Sequence, residues 1–404
     1  MELLERFLKY TSINTQCDRN SKAIPTNQNE FIIANVIADE LKELGIEVTV
    51  NEHAHVYGKL PATPGYEDKM PIGFIAHMDT SPDFSGECVK PQIIENYQGQ
   101  DVKLGDTDRV LSAEKFPNLK DYIGRTLITT DGTTLLGADD KAGVAEIVEL
   151  AKILVTNNIP HGQVSLGFTP DEEGGDGISV FNVEEFGATV AYTCDGSTEG
   201  EVEYENFNAA TVLVNIEGFN VHPGSAKDTM INASLVAMEF NSMLPSLEVP
   251  SHTEDFEGFY HLCEMSGDNE KAKLFYIVRD HDITLYEGKI KTVKLIEKVM
   301  NEKYGVGTVT LEIIPSYRNM KEKVEPHMHL IDNAKKAIAM AGLEPETKAI
   351  RGGTDGAALS YKGLPCPNLG TGGQAFHGPY EHITLEGMEI STQIILNIVK
   401  NYAK

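Results

Sequence analysis

The 404-residue sequence contains no tryptophan and only five cysteines, at positions 17, 88, 194, 263 and 366. The cysteines are odd in number, scattered and without a C-x-x-C pair, which argues against a disulfide framework and for reduced thiols. Cys194 ends an apolar run and reads as core packing rather than as a nucleophile. Positive charge is scarce as well: 34 Lys and Arg stand against 61 Asp and Glu, a net charge of −27. A surface of that sign repels phosphate backbones and argues against nucleic acid as a partner. No apolar run approaches the ~20 residues that span a bilayer. The opening Met-Glu-Leu-Leu-Glu-Arg lacks the basic and apolar regions of a secretion signal. The expectation is a soluble cytoplasmic protein with no membrane partner.

What is present is a regular alternation of strand-like and helix-like segments. Leu3, Leu4, Phe7 and Leu8 repeat with a helical period, and a second helix is expected over 31–44, stopped by Gly45. Strands are expected at 46–50, 70–76, 163–168 and 188–193, with a strongly periodic helix over 141–155. Residues 80–130 read as small strands and loops. Strand–helix–strand alternation implies an α/β fold with a mostly parallel sheet flanked by helices. Near residue 207 the character changes. Strands at 209–217, 273–279 and 308–314 with helices at 232–244 and 289–304 fit a β-α-β-β-α-β, ferredoxin-like α+β insertion. The α/β pattern resumes after 318. The expected domains are therefore 1–207 plus 318–404, which carries the chemistry, and 208–317, an inserted domain.

Five side chains with metal-ligand chemistry each fall at or just after the end of an apolar run: His77, Asp139, Glu173, Asp195 and His377. Open α/β sheets bind ligands beyond the carboxyl ends of their strands, so that placement marks a site. The set contains no thiolate, which suits a catalytic rather than a structural centre. Two neutral imidazoles, two Asp and one Glu carry three negative charges. Two Zn²⁺ and one hydroxide balance them, whereas a single ion leaves the cluster anionic. One carboxylate must then bridge ions roughly 3.5–4 Å apart. Asp139, at a strand-to-helix junction, is the expected bridge. Glu172 adjoins Glu173 but points elsewhere, so it can take a proton from water and deliver it to a leaving amine. Asp79, two residues beyond His77, can fix that imidazole's tautomer.

The segments HMDTSPD at 77–83, TDGTTLLGADDKAG at 130–143, TPDEEGG at 169–175, TCDGS at 193–197, VHPGSAK at 221–227, RGGTDGA at 351–357 and HGPYEHITLEGME at 377–389 carry a resemblance. They are similar to those of the M20 zinc metallopeptidase family, which includes carboxypeptidase G, acetylornithine deacetylase and succinyl-diaminopimelate desuccinylase. GADDKAG, RGGTDGA and the wording around His377 resemble its bacterial aminotripeptidase branch. The likeness spans essentially the whole chain. It implies that His77 and Asp195 hold one zinc and Glu173 and His377 the other, with Asp139 between them, Glu172 as general acid/base and Asp79 orienting His77. It also implies a cis peptide at Asp139-Asp140, a lid or dimerisation role for the insertion compatible with a homodimer, and His222 as a donor to the tetrahedral oxyanion.

Arg279 and Arg351 are then the candidates to grip a peptide carboxylate, since guanidinium pairs with carboxylate in a bidentate fork. Their bland alternative is an ion pair with Asp280 or Asp355. Asn232 reads as a helix N-cap. His53 with His55 and His327 with His329 could each chelate a metal, but surface or packing roles are favoured; His382, the rival of His377, is expected at a helix start. The expected activity is removal of the N-terminal residue from short peptides, tripeptides foremost, with Co²⁺ or Mn²⁺ as substitutes for zinc. The rivals are a dipeptidase or N-acyl-amino-acid deacylase on the same architecture, and a non-catalytic peptide-binding protein.

Overall fold

The computed structural model describes all 404 residues, which form two compact units. The first comprises Met1–Tyr204, Glu322–Lys348 and Thr354–Lys404; the second comprises Glu205–Lys321 and Ala349–Gly353.

The first unit is built on a sheet of eight strands, two of which, Glu201–Asn206 and Glu346–Ile350, end in residues of the second unit. In spatial order its strands are Glu47–Val50, Val56–Leu60, Val164–Thr169, Ile72–His77, Val190–Gly196, Asn368–Gly370, Glu201–Asn206 and Glu346–Ile350. The four central strands, Val164–Thr169 to Asn368–Gly370, are parallel. Pairings on both sides of them are antiparallel, so the sheet is mixed rather than parallel throughout. Burial explains which strands lie centrally: every residue of Ile72–His77 and Val164–Thr169 is buried, as strands covered on both faces require. The edge strand Glu47–Val50 alternates exposed and half-buried positions.

Helix Ala138–Thr156 packs against strand Ile72–His77 and helix Leu385–Tyr402, and it is buried over most of its length. Gly143 permits that approach. A Cβ there would stand 2.0 Å from the carbonyl oxygen of Cys194. Helix Leu3–Thr11 buries Leu3, Phe7 and Tyr10 and opens with a capping box between Glu2 and Glu5. Helix Glu30–Glu43 ends before Gly45, whose φ of 80° suits a residue without Cβ. Residues 80–130 hold the short strands Gln92–Ile94, Val102–Lys103, Val110–Leu111 and Leu127–Thr129 around a small core of Tyr97, Leu104, Leu111, Leu119 and Tyr122.

In the second unit four antiparallel strands stand in the order Phe259–Gly267, Lys271–Asp280, Asn208–Glu217 and Val309–Pro315. Helices Ala233–Ser242 and Ile283–Tyr304 complete a β-α-β-β-α-β arrangement around Val212, Val214, Val236, Phe240, Tyr276, Val293 and Met300. Within this four-stranded sheet, Phe259–Gly267 is the strand that periodicity does not reveal. It is an edge strand, exposed or half-buried after Tyr260, and interrupted by an irregularity between Leu262 and Glu264, so no apolar alternation marks it. Residues 349–353 join this unit through hydrogen bonds: Ile350 O meets His281 Nε2, and the Arg351 guanidinium donates to the carbonyls of Thr253, Asp255 and Glu257. Asn232 caps its helix by accepting the Leu235 N–H.

Candidate metal centre

His77 is the last residue of its strand, Asp195 lies at the end of Val190–Gly196, and Glu172 and Glu173 follow Val164–Thr169. Asp139 opens the buried helix with non-helical φ and ψ (−84° and 103°), and the Asp139-Asp140 peptide is cis. His377 arrives on the loop between Asn368–Gly370 and His382–Thr384. The two oxygens of Asp139 part company: Oδ1 lies 3.0 Å from His77 Nε2 and Oδ2 lies 3.0 Å from His377 Nε2. Asp195 Oδ1 joins the first imidazole at 3.4 Å, and Glu173 Oε1 joins the second at 2.9 Å. All five side chains expected from the sequence therefore converge, as two lobes sharing one carboxylate.

The donor set fits a pair of divalent cations. Ligand atoms of His77, Asp139 and Glu173 lie within 4.8 Å of one another. Glu173 Oε1 is buried and has no aligned hydrogen-bond donor. Ion pairs of the five run only among themselves and to Asp79 and Asp83. The titration pattern reflects crowded acids meeting two bases. Burial opposes ionisation of Asp139, yet hydrogen bonds from His377 and His77 outweigh it and hold the carboxyl below its usual range. The hydrogen bond to Asp139 and the adjoining Glu173 carboxylate push His377 up to about 11. Burial pushes Glu173 up to about 7 and, with the nearby Asp195 carboxylate, raises Glu172 well above an ordinary glutamate.

Residues 128–401 match peptidase family M20/M25/M40. The chain is 50% identical over 406 residues to Peptidase T of Alkaliphilus oremlandii, an alignment covering 100% of this chain and 99% of that one. It is 52% identical over 406 residues to Peptidase T of Clostridium novyi, with the same coverage. The chain belongs to peptidase family M20/M25/M40. Among solved structures its fold resembles aminopeptidase PepT from Bacillus cereus (TM-score 0.79, 23% identity, 100% and 98% of the two chains). It also resembles a tripeptidase from Staphylococcus aureus (TM-score 0.79, 22% identity, 99% and 98%).

Around this M20 centre a ring of carboxylates holds the cluster in place. Asp79 is fully buried, and its Oδ1 lies 3.3 Å from His77 Nδ1. The same carboxylate accepts the backbone N–H groups of Glu172 and Glu173 at 2.9 and 3.0 Å. Asp140 accepts the N–H groups of His77 and Gly143, each at 3.2 Å. Asp83 Oδ2 stands 3.5 Å from His377 Nδ1, and Arg19 grips its other oxygen at 2.8 Å. Glu381 accepts three backbone N–H groups from the segment entering Asp139. Asp355 accepts from Thr169 Oγ1 at 2.7 Å, and burial pushes it up to about 7. Of these, only Asp79 is a site residue expected from the sequence. Asp83, Glu381 and Asp355 all stand inside the quoted motifs, and that was the only signal available for them.

The other expected residues belong to the second unit. His222 is exposed on a short turn, where Nδ1 accepts the Gly224 N–H at 3.1 Å. That bond assigns the ring proton to Nε2. Arg279 and Arg351 are joined by a bond of 2.9 Å from Arg279 to the Arg351 carbonyl. Neither makes the expected alternative ion pair. Arg351 donates to loop carbonyls and lies over the Phe207 and Phe259 rings, while Arg279 Nε is buried without a partner.

The remaining histidines stay outside the cluster. His55 is buried against Tyr57 and Phe181, and burial pushes it down to about 4. His53 and His55 lie in the turn before Val56–Leu60 rather than on one strand face. His327 and His329 sit at a helix start with ring centroids 6.0 Å apart. His382 occupies a buried strand rather than a helix start. Its Nδ1 bonds Tyr380 O at 2.8 Å and its Nε2 accepts from Asn118 at 2.9 Å, while Thr384 caps the helix that follows.

Proposed function

We propose that this M20-family peptidase is a two-metal aminopeptidase that removes the N-terminal residue of short peptides, tripeptides foremost. The observation that carries the reading is the division of Asp139, with one carboxylate oxygen on His77 and the other on His377. His77, Asp195 and Asp139 Oδ1 would hold one ion; His377, Glu173 and Asp139 Oδ2 would hold the other. Zinc suits this nitrogen and oxygen set, with cobalt or manganese as substitutes. Bound there, the pair supplies polarisation of the peptide carbonyl and a lowered pKa for the attacking water.

The chain's own groups do the rest. Glu172 takes the proton of the attacking water on its carboxylate and passes it to the departing amine nitrogen. Asp79 keeps His77 in the tautomer whose Nε2 faces the cluster. His222 presents an Nε2–H suited to a developing oxyanion. Arg279, with an unpartnered Nε, and Arg351 are the proposed carboxylate grips. The names of the Peptidase T relatives and of the Staphylococcus aureus tripeptidase support the choice of substrate. We also propose a cytoplasmic location, in keeping with five unpaired cysteines. No helix is long and apolar enough to cross a membrane.

The test is Glu172→Gln assayed on di-, tri- and tetrapeptides and on N-acyl amino acids. The variant should keep its metal and lose turnover by about 10²–10⁴. Residual activity near wild type removes Glu172 from the role. A wild-type preference for N-acyl amino acids makes the protein a deacylase, and peptide binding without hydrolysis makes it a non-catalytic receptor.

A further inference from the structure

The segment that delivers His377 ends in a carboxylate four residues on. Glu381 is 1% exposed and forms no ion pair with lysine or arginine; its acceptors are filled by the backbone instead. Oε2 takes the N–H groups of Leu136 and Gly137 at 2.6 and 2.9 Å, and Oε1 takes the N–H of Asp139 at 3.1 Å. Successive N–H groups converge this way where the chain enters a left-handed turn, here at Gly137 with φ of 79°. A carboxylate bonded to such a concavity holds it more firmly than a neutral acceptor could.

The position of those donors gives the arrangement its meaning. All three lie on the four residues that lead into and include Asp139. One short segment therefore touches Asp139 twice: His377 Nε2 meets its side chain at Oδ2, and Glu381 meets its backbone N–H. The segment is itself tethered, since Thr129 Oγ1 donates to the Glu381 carbonyl at 3.3 Å and Thr130 Oγ1 donates to the Pro379 carbonyl at 3.1 Å. Strand His382–Thr384 then pairs with Leu127–Thr129.

We infer that Glu381 is the positioning residue of the bridging carboxylate, fixing the backbone of Asp139 so that its two oxygens address separate ions. This rests on the two-metal reading above. Glu381 touches neither substrate nor metal and acts only through Asp139. Glu381→Gln keeps the volume but presents an NH₂ group to one side of the N–H concavity, so one set of bonds is lost. Glu381→Asp keeps the charge and shortens the reach.

Cobalt titration of the metal-free protein tests the proposal, with wild type and both variants compared by calorimetry and by the visible d–d spectrum. Wild type should take up two equivalents. Glu381→Gln should bind the second at least ~10-fold more weakly, with an altered spectrum and a kcat lower by about 10–100-fold at nearly unchanged KM. Its metal-free melting temperature should stay close to wild type, and Glu381→Asp should recover part of the affinity. Wild-type affinity and spectrum in Glu381→Gln overturn this proposal alone. Loss of the metal-free fold in both variants makes Glu381 a folding element and also overturns it. A wild-type protein that binds one equivalent or none overturns the two-metal reading, and this proposal with it.

Discussion

Asp79 accepts the backbone N–H of Glu172 through Oδ1 at 2.9 Å. With the neighbouring bond to Glu173 N and the approach to His77 Nδ1, one buried carboxylate ties two strand ends together. The proposed general base is thereby set relative to one proposed ligand by a side chain that contacts both.

Asp79→Asn replaces one acceptor oxygen by an amide NH₂, which meets the Glu173 N–H in one orientation and the Glu172 N–H together with the His77 ring in the other. We expect kcat/KM to fall by about 10–100-fold, mostly in kcat, with the fold retained. Steady-state kinetics alongside metal analysis reads this out; activity within twofold of wild type would remove Asp79 from the machinery.

Chelation should abolish peptide hydrolysis, and add-back of Zn²⁺, Co²⁺ or Mn²⁺ should restore it. Ions that bind only the folded chain also stabilise it, by about 2.7 kcal/mol at a hundredfold excess over Kd. The melting temperature should therefore drop on chelation. A curve unmoved by chelation and by each added metal would mean that the converging acids hold no ion.

Acid should destabilise the protein through its buried histidines. Burial lowers His55 and His382 to about 4, so each is neutral in the fold near neutrality. As pH falls below the unfolded value near 6.5, the unfolded chain takes up protons that the folded chain refuses. The stability present above that value is lost progressively down to about 4, and each histidine accounts for about 3 kcal/mol. His55→Phe, which keeps the contacts with Tyr57 and Phe181, should flatten the fall measured by urea unfolding at pH 7.5 and 5. Identical slopes in variant and wild type would acquit His55.

Gly143→Ala should damage both fold and site. The added Cβ would stand 2.0 Å from Cys194 O and 2.6 Å from Asp140 Oδ1, so the helix must lift from the strand that carries Asp195. Overpacking of this kind costs about 1–3 kcal/mol or more, against ~1 kcal/mol gained in helix propensity. Thermal melts and metal content should fall together, and a variant as stable as wild type would show that the helix shifts freely.

The main helices and three of the four central strands can be read from periodicity because their apolar positions repeat locally, as in Ala138–Thr156 and Val164–Thr169, whereas the three-residue strand Asn368–Gly370 is too short to show a repeat. Strand Phe259–Gly267 cannot be read this way, because an irregular edge strand with one open face has no alternation to show. His382 departs from the expected helix start for a related reason. A three-residue strand directly before a helix resembles a cap in one dimension.

The ligand types, their spacing at strand ends and the balance of charge were decided by the amino-acid order alone, since each depends on residue identity and local pattern. Folding decided that Asp139 splits its oxygens between two imidazoles, that Asp79 reaches Glu172 across 93 residues, and that Glu381 reaches Asp139 across 242. Those last two contacts end on backbone N–H groups, which every residue but proline carries. No side-chain pattern can announce such a partner, so only the three-dimensional path of the chain selects it.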